Sequence, residues 1–329
     1  MSKSLKRTLI SVSCVIALLG SFVLIWYFGD NYGDFYNIAV AEFEIAGLDE
    51  GFIPQGLTYE EGSDTYLSCG YMNDGSASRV YVIDGETLST TKYITLQDSE
   101  AQDYTGHAGG ITTDGENVWI SGDGLVYRFS YQNITTAENA DKIAIIDKFE
   151  SQNGADFLTI ENGNLWVGEF HKEGKYDRPE SHQFKTSDGE INYALSFCYE
   201  INPSNDYGLQ SITPIRALST GSLVQGMVIT EDKIILSTSY SLPNSKLTSY
   251  ENILSQTPIS TFEINNSTID VYVLETSNKL EEIELPCMSE EIVVANGKIY
   301  ISFESACQKY KIVTREQINK IYSIALENL

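Results

Sequence analysis

Positive charge is what this chain has least of. Its 329 residues include 21 Lys and Arg against 46 Asp and Glu, and only three His. A surface so acidic opposes a non-specific grip on nucleic acid or anionic lipid and favours solubility and the attraction of cations. Motifs of nucleophilic catalysis are missing too, with no GxSxG and no Cys beside a His. GGITTDG opens a strand and a turn with no helix behind it, which excludes a phosphate loop. Heptads and low-complexity tracts are absent, and little helical periodicity is evident, so coiled coils and disordered tails drop out.

One uncharged run breaks the polar pattern. Lys3, Lys6 and Arg7 precede the 20 residues Leu9 to Phe28, closed by Trp26, Tyr27 and Phe28. That length matches the roughly 20 residues needed to cross a bilayer as a helix. The basic start and aromatic end predict a signal-anchor with a cytoplasmic N-terminus, rather than a cleaved signal peptide. Cys14 reads as an apolar filler within it. The expected organisation is therefore a cytoplasmic tip and transmembrane helix over 1–29, a linker over 30–36, and one domain over 37–329. The expected location is the cell membrane, single-pass, with the domain outside. Beyond Gly29 lie all 46 acidic residues and 18 basic ones, a net charge of −28.

What the rest of the chain has is repetition. A polar or Gly-rich start, an apolar strand, a turn and a second apolar strand recur five times. The copies are PQGLTYEEGSDTYLSCG, AGGITTDGENVWISGDG, ADFLTIENGNLWVGEF, VQGMVITEDKIILSTSY and SEEIVVANGKIYISFES. Their anchors Leu57, Ile111, Leu158, Met227 and Ile292 lie 54, 47, 69 and 65 residues apart. Short strands on such a period predict an all-β chain, a β-propeller of five four-stranded blades. A sixth, degenerate blade would have to lie in the long third or fourth repeat.

Outer strands are expected at Arg79–Asp84 and Lys92–Leu96 for blade I, and at Leu125–Tyr131 and Lys142–Phe149 for blade II. Blade III takes Tyr193–Ile201 and Ile212–Ala217, and blade IV takes Val271–Glu275 and Leu280–Leu285. Blade V keeps only Lys320–Ala325, so Asn37–Ile45 is expected to close the ring as its fourth strand, removing an exposed edge.

A propeller gathers equivalent positions around one axis, so the repeats can be superposed. The channel mouth on the top face then receives Gln55, Gly109, Asp156, Gln225 and Glu290, with Gly56, Gly110, Phe157, Gly226 and Glu291 one step further in. His107 and His171 fall on loops at the same mouth, and Glu304 ends a second strand there. Ligand-binding candidates are thus Gln55, His107, Asp156, His171, Gln225, Glu290, Glu291 and Glu304. Asp156, Glu290 and Glu291 carry the hard oxygens that Ca²⁺ prefers, although a hydrogen-bonded polar ring with water is the plainer reading. Alternation along a strand predicts that only one of Glu290 and Glu291 faces the channel. Two insertions, His171–Asn192 and Leu242–Thr261, are expected between second and third strands on this face. The first carries Lys172, Lys175, Arg178 and Lys185. Cys287 and Cys307 stand symmetrically about the Asn296–Gly297 turn, which places a disulfide or two buried thiols there.

The PQG of blade I and VQG of blade IV resemble the starts of blades in sugar-lactonase, strictosidine-synthase-like and YncE-like propellers. GHAGGITTDGENVWISG and ISFESACQKY look like cell-surface propellers of Gram-positive bacteria. The first resemblance implies a divalent cation held by Asp156 and Glu290 or Glu291, with Gln55 standing where a metal-binding Glu is expected. The second implies a location and a fold. Two functions follow as expectations: a membrane-anchored extracellular module that binds a small molecule, glycan or protein at its top face, or a metal-dependent hydrolase of the lactonase or phosphoesterase kind.

Overall fold

The computed structural model describes residues 32–99 and 102–329. The expected transmembrane helix over 1–29 lies outside them, and no helix among the described residues is long and apolar enough to cross a membrane.

Five antiparallel sheets are arranged as the blades of a β-propeller. Blade I runs Phe52–Glu60, Thr65–Met72, Arg79–Asp84 and Ser89–Ser99. Blade II runs Gly110–Thr113, Asn117–Gly122, Leu125–Ser130 and Asp147–Glu150. Blade III runs Phe157–Glu161, Asn164–Gly168, Ala194–Glu200 and Arg216–Thr220. Blade IV runs Val224–Ile229, Lys233–Thr238, Ser245–Glu251 and Lys279–Leu285. Blade V runs Ser289–Ala295, Lys298–Phe303 and Lys320–Ala325, and Val40–Glu44 is its fourth strand. The N-terminal closure expected from Asn37–Ile45 is thus present, with Val40 opposite Ser323 and Glu44 opposite Lys320. The first strands of neighbouring blades pack on one another around the whole ring.

Alternating apolar residues bury between the blades. Trp119, Leu158, Val167 and Phe197 fill the space between blades II and III, while Leu57, Tyr66, Ile299 and Ile301 fill that between V and I. At about 25 cal/mol per Å² of apolar surface removed from water, such seams are the main favourable term holding the ring.

Two expectations fail for one reason. Lys142–Phe149 was expected as one strand, but Lys142–Ala144 crosses over and pairs in parallel with the outer strand of blade I, leaving Asp147–Glu150 to complete blade II. Val271–Glu275 was expected in blade IV. Instead Ser260–Ile264 and Ser267–Val273 form a hairpin whose second strand pairs in parallel with the outer strand of blade III. Blade IV takes its third strand from Ser245–Glu251, inside the stretch expected as a loop. The true insertion therefore follows the third strand, and only residues 239–244 remain as the loop on the top face. Each crossover covers an outer edge that would otherwise expose its backbone groups.

Candidate functional site

Three of the five first strands carry a β-bulge at their start. The register slips between Pro54 and Gly56, between Val224 and Gly226, and between Ser289 and Ile292. The extra residues are Gln55, Gln225 and one of the pair Glu290–Glu291. A bulge bends its strand and re-aims side chains, which is why these polar groups gather at the mouth. Four of the strands are also entered through a non-glycine residue in the left-handed region: Ala108, Ala155, Leu223 and Met288. Such backbone is costly and persists only where its surroundings enforce it.

The bulge also overturns the alternation rule for the two adjacent glutamates. Glu290 lines the cavity on the top face. Glu291 reaches inward as well, beneath it. Its Oε2 accepts the backbone N–H groups of Leu57 and Ile111, and its Oε1 accepts that of Leu158, each at 2.9 Å. One carboxyl from blade V thereby ties the first strands of blades I, II and III. Burial pushes its pKa up, to about 8 against the opposing pull of the three donors.

The cavity above has a volume of about 820 Å³. Gln55, His107, Asp156, Gln225, Glu290 and Glu304 all line it, whereas Glu291 and His171 do not. His171 is buried beside it, stacked on Tyr193 at 4.7 Å, with Nδ1 2.7 Å from Ser222 Oγ.

On the floor, Glu290 and Glu304 share a hydrogen bond, and Gln55 Nε2 donates to Glu304 Oε2 at 3.0 Å and to its neighbour's carbonyl, Pro54 O, at 2.7 Å. With both amide hydrogens so used, Gln55 has only its oxygen left to offer a ligand. Burial, with the like charge of Glu304 next, raises the pKa of Glu290 well above the usual carboxylate range. Burial likewise pushes Glu304 up to about 7, against the pull of Gln55 and Lys309. The pair holds a proton where free carboxylates would have lost it.

Asp156 marks the opposite wall. It keeps 36% of its side-chain surface open to the cavity, yet burial by the surrounding walls still pushes its pKa up to about 6, against Arg178 and the N–H of Phe170. Arg178 donates to Asp156 at 2.6 Å and to the carbonyl of Phe170 at 2.7 Å, and lies 3.8 Å from the fully buried Glu169. Glu169 in turn accepts from His182 Nδ1 and from the N–H of Leu195, both at 2.8 Å. This relay was not legible in the sequence: Arg178 was one of four basic residues in the insertion, and His182 and Glu169 carried no signal of position. Lys185 sits apart, in the small hairpin of Phe184–Lys185 with Ile191–Asn192.

Rings make up much of the remaining wall. His107 lies 4.8 Å from Tyr71, and Phe170 6.2 Å from Tyr240 and 5.6 Å from Tyr176. Lys175 stands over Tyr240 and Tyr176, and Lys309 over Tyr71 and Tyr310. Tyr310 and Val313 come from the connection between the second and third strands of blade V, a contributor the repeat pattern did not reveal.

For a cation, the three expected ligands are each engaged elsewhere: Asp156 with Arg178, Glu290 with Glu304, and Glu291 with three backbone donors. Among the described residues, no three of His, Cys, Asp and Glu stand close enough to hold a metal ion. Cys287 and Cys307 are buried thiols in this structure, as are Cys69 and Cys198.

No family model and no curated protein matches the chain. Among solved structures it is similar to glutaminyl cyclase of Myxococcus xanthus, at 11% identity and a TM-score of 0.46, over 87% of this chain and 95% of that one. It is also similar to an exo-β-1,3-galactanase of Phanerochaete chrysosporium, at 8% identity and a TM-score of 0.46, over 87% and 62% of the two chains. A member of the DUF4221 family from Bacteroides vulgatus matches at 11% identity and a TM-score of 0.38, over 88% and 98%.

Proposed function

We propose that this chain is a membrane-anchored extracellular binding module whose top-face cavity takes a small polar molecule or a glycan. The observation that carries the reading is the composition of one cavity: an acceptor-rich floor of Glu290, Glu304 and Gln55 under walls of Tyr71, Tyr240 and Phe170. Stacking faces beside hydrogen-bond acceptors suit a ligand that brings hydroxyl or amine donors and an apolar ring face. The hydrogen-bonded contact between Glu290 and Glu304 leaves no room for a sugar between them, unlike the roughly 5–9.5 Å separation of paired glycosidase carboxylates. Titration calorimetry of the full chain against neutral and amino-sugar oligosaccharides tests the reading. Binding that is lost in both Glu304→Gln and Tyr240→Ala is expected, and binding that both variants retain would overturn it.

The second reading, a calcium-dependent hydrolase of the lactonase or phosphoesterase kind, draws on one observation. Glu304, with its pKa near 7, is suited to move a proton at neutral pH. A cation there would have to displace the proton that Glu290 and Glu304 share. Thermal melts after chelation, then with Ca²⁺, Mg²⁺, Mn²⁺ or Zn²⁺ added singly, separate the two. A real site occupied at a hundredfold excess over its dissociation constant stabilises by about 2.7 kcal/mol. The binding reading expects no metal-specific rise, and a rise abolished by Glu290→Gln would move the assignment to the hydrolase.

A further inference from the structure

Two adjacent carboxyls of blade V are served very differently. Glu291 is saturated, with the N–H groups of Leu57, Ile111 and Leu158 on its two oxygens. Glu290 lines the cavity and is only 3% exposed, yet no N–H of the described residues donates to it. Its one hydrogen bond is the proton shared with Glu304. Glu304 in turn receives only the amide of Gln55. Gln55 is itself 4% exposed, and its oxygen has no donor. The floor is therefore a set of buried oxygens short of hydrogen, and buried acceptors left without a partner are costly.

What completes such a floor is a group that brings several donors and needs none in return. A hydroxyl donates once, and its own lone pairs would then face oxygens alone. A protonated amine has three N–H donors, no acceptor, and a charge that strengthens each hydrogen bond. The chain's own cations beside the cavity are held elsewhere. Arg178 donates to Asp156 and to the carbonyl of Phe170, Lys175 to the hydroxyl of Tyr240, and Lys309 to that of Tyr71. Asp123, also in the lining, makes no hydrogen bond or ion pair through its carboxylate among the described residues. At about 820 Å³ the cavity is far larger than an ammonium group. The rest of the ligand therefore meets the ring faces of Tyr71, Phe170 and Tyr240 and the amide of Gln225, which makes no side-chain hydrogen bond among the described residues.

We infer that the cavity selects an amino sugar, its protonated amine on Glu290, Glu304 and the oxygen of Gln55, and its ring against the aromatic wall. This rests on the binding reading above and narrows the ligand to a cation. On entering, the amine takes the place of the proton that Glu290 and Glu304 share, and that proton leaves to solvent. Asp123 adds a second negative charge on the approach, and Gln225 is left to serve a ring hydroxyl. The acidic surface of the domain favours the approach of such a cation.

The test is titration calorimetry of the full chain with three related disaccharides. These are cellobiose, its counterpart with an amino group at C2 of each ring, and the N-acetylated form of that counterpart. Amine and hydroxyl are close in size, so the first pair isolates charge and donor number. The amino form is expected to bind about tenfold or more tightly than cellobiose. Glu290→Gln is expected to remove that preference. Asn tolerates the left-handed backbone found at Asp123, so Asp123→Asn keeps the fold and is expected to reduce the preference in part. Equal affinity for the amino and hydroxyl forms, tighter binding of the acetylated form, or a preference that survives Glu290→Gln would overturn the inference and leave the binding reading standing. Binding of none of the three would overturn both.

Discussion

The side chain of Glu291 and the backbone N–H of Ile111, 180 positions apart in sequence, meet in a 2.9 Å hydrogen bond inside the ring. With Leu57 and Leu158 on the same carboxyl, four of the five blades depend on one residue. Glu291→Ala leaves three buried donors without a partner, at about 1–3 kcal/mol each unless water replaces the carboxyl. A loss of about 3–5 kcal/mol in urea denaturation is expected. Glu291→Gln, with one acceptor oxygen in place of two, is expected to lose less.

The room for that carboxyl comes from glycines. A Cβ on Gly110 would stand 2.7 Å from the backbone at Phe157 and Leu158, and 2.8 Å from Glu291 Oε1. None of those backbone atoms can yield without moving a neighbouring blade. Gly110→Ala should cost about 1–3 kcal/mol. Gly221, with open space around it, serves as the control, and Gly221→Ala should stay within about 0.5 kcal/mol by the same measurement.

Stability should fall as the pH rises. Folded Glu304 keeps its proton to about pH 7, while the unfolded chain releases it near the ordinary 4.5. Asp156 behaves in the same sense, with about 6 against 3.8. Between those values the folded state binds more protons, so the contribution is complete below the unfolded pKa and is lost as the pH passes the folded one. Melting temperatures at pH 5 and pH 8 should differ in that direction, and Glu304→Gln should shrink the difference. An unchanged difference in the variant would remove Glu304 from the account.

Cys287 and Cys307 are both buried at the top end of the inner hairpin of blade V, although the register, with Ser289 opposite Phe303, does not set them directly across from one another. If the domain lies outside the membrane, as proposed, oxidation is permitted there and the two are expected to pair. Peptide mapping without reductant should then show a linked Cys287–Cys307 fragment. Two alkylatable thiols in the same preparation would exclude the pairing.

The sequence makes the ring legible because each blade needs the same inner hairpin, and that need leaves the anchors Leu57 to Ile292 in register. The convergence of Gln55, Asp156, Gln225 and Glu290 followed from the same superposition. The crossovers were not legible. Lys142–Ala144 and Ser267–Val273 have the apolar alternation of any strand, and nothing local says which blade they join. Nor could alternation predict that Glu290 and Glu291 both face inward, since the bulge that turns them arises from how the strand meets its partner. Arg178 reaches Asp156 across a loop, and loop geometry has no period to read.

The crossovers divide the ring into unequal joints. Strands lent by II to I and by IV to III bind those blades as doublets, whereas the joints between II and III and between IV and V have no such strand. Removing blade II alone would strip the outer edge of blade I, and removing blade IV would do the same to blade III. The lent strands thus make blades I and II, and blades III and IV, dependent on one another for their outer edges.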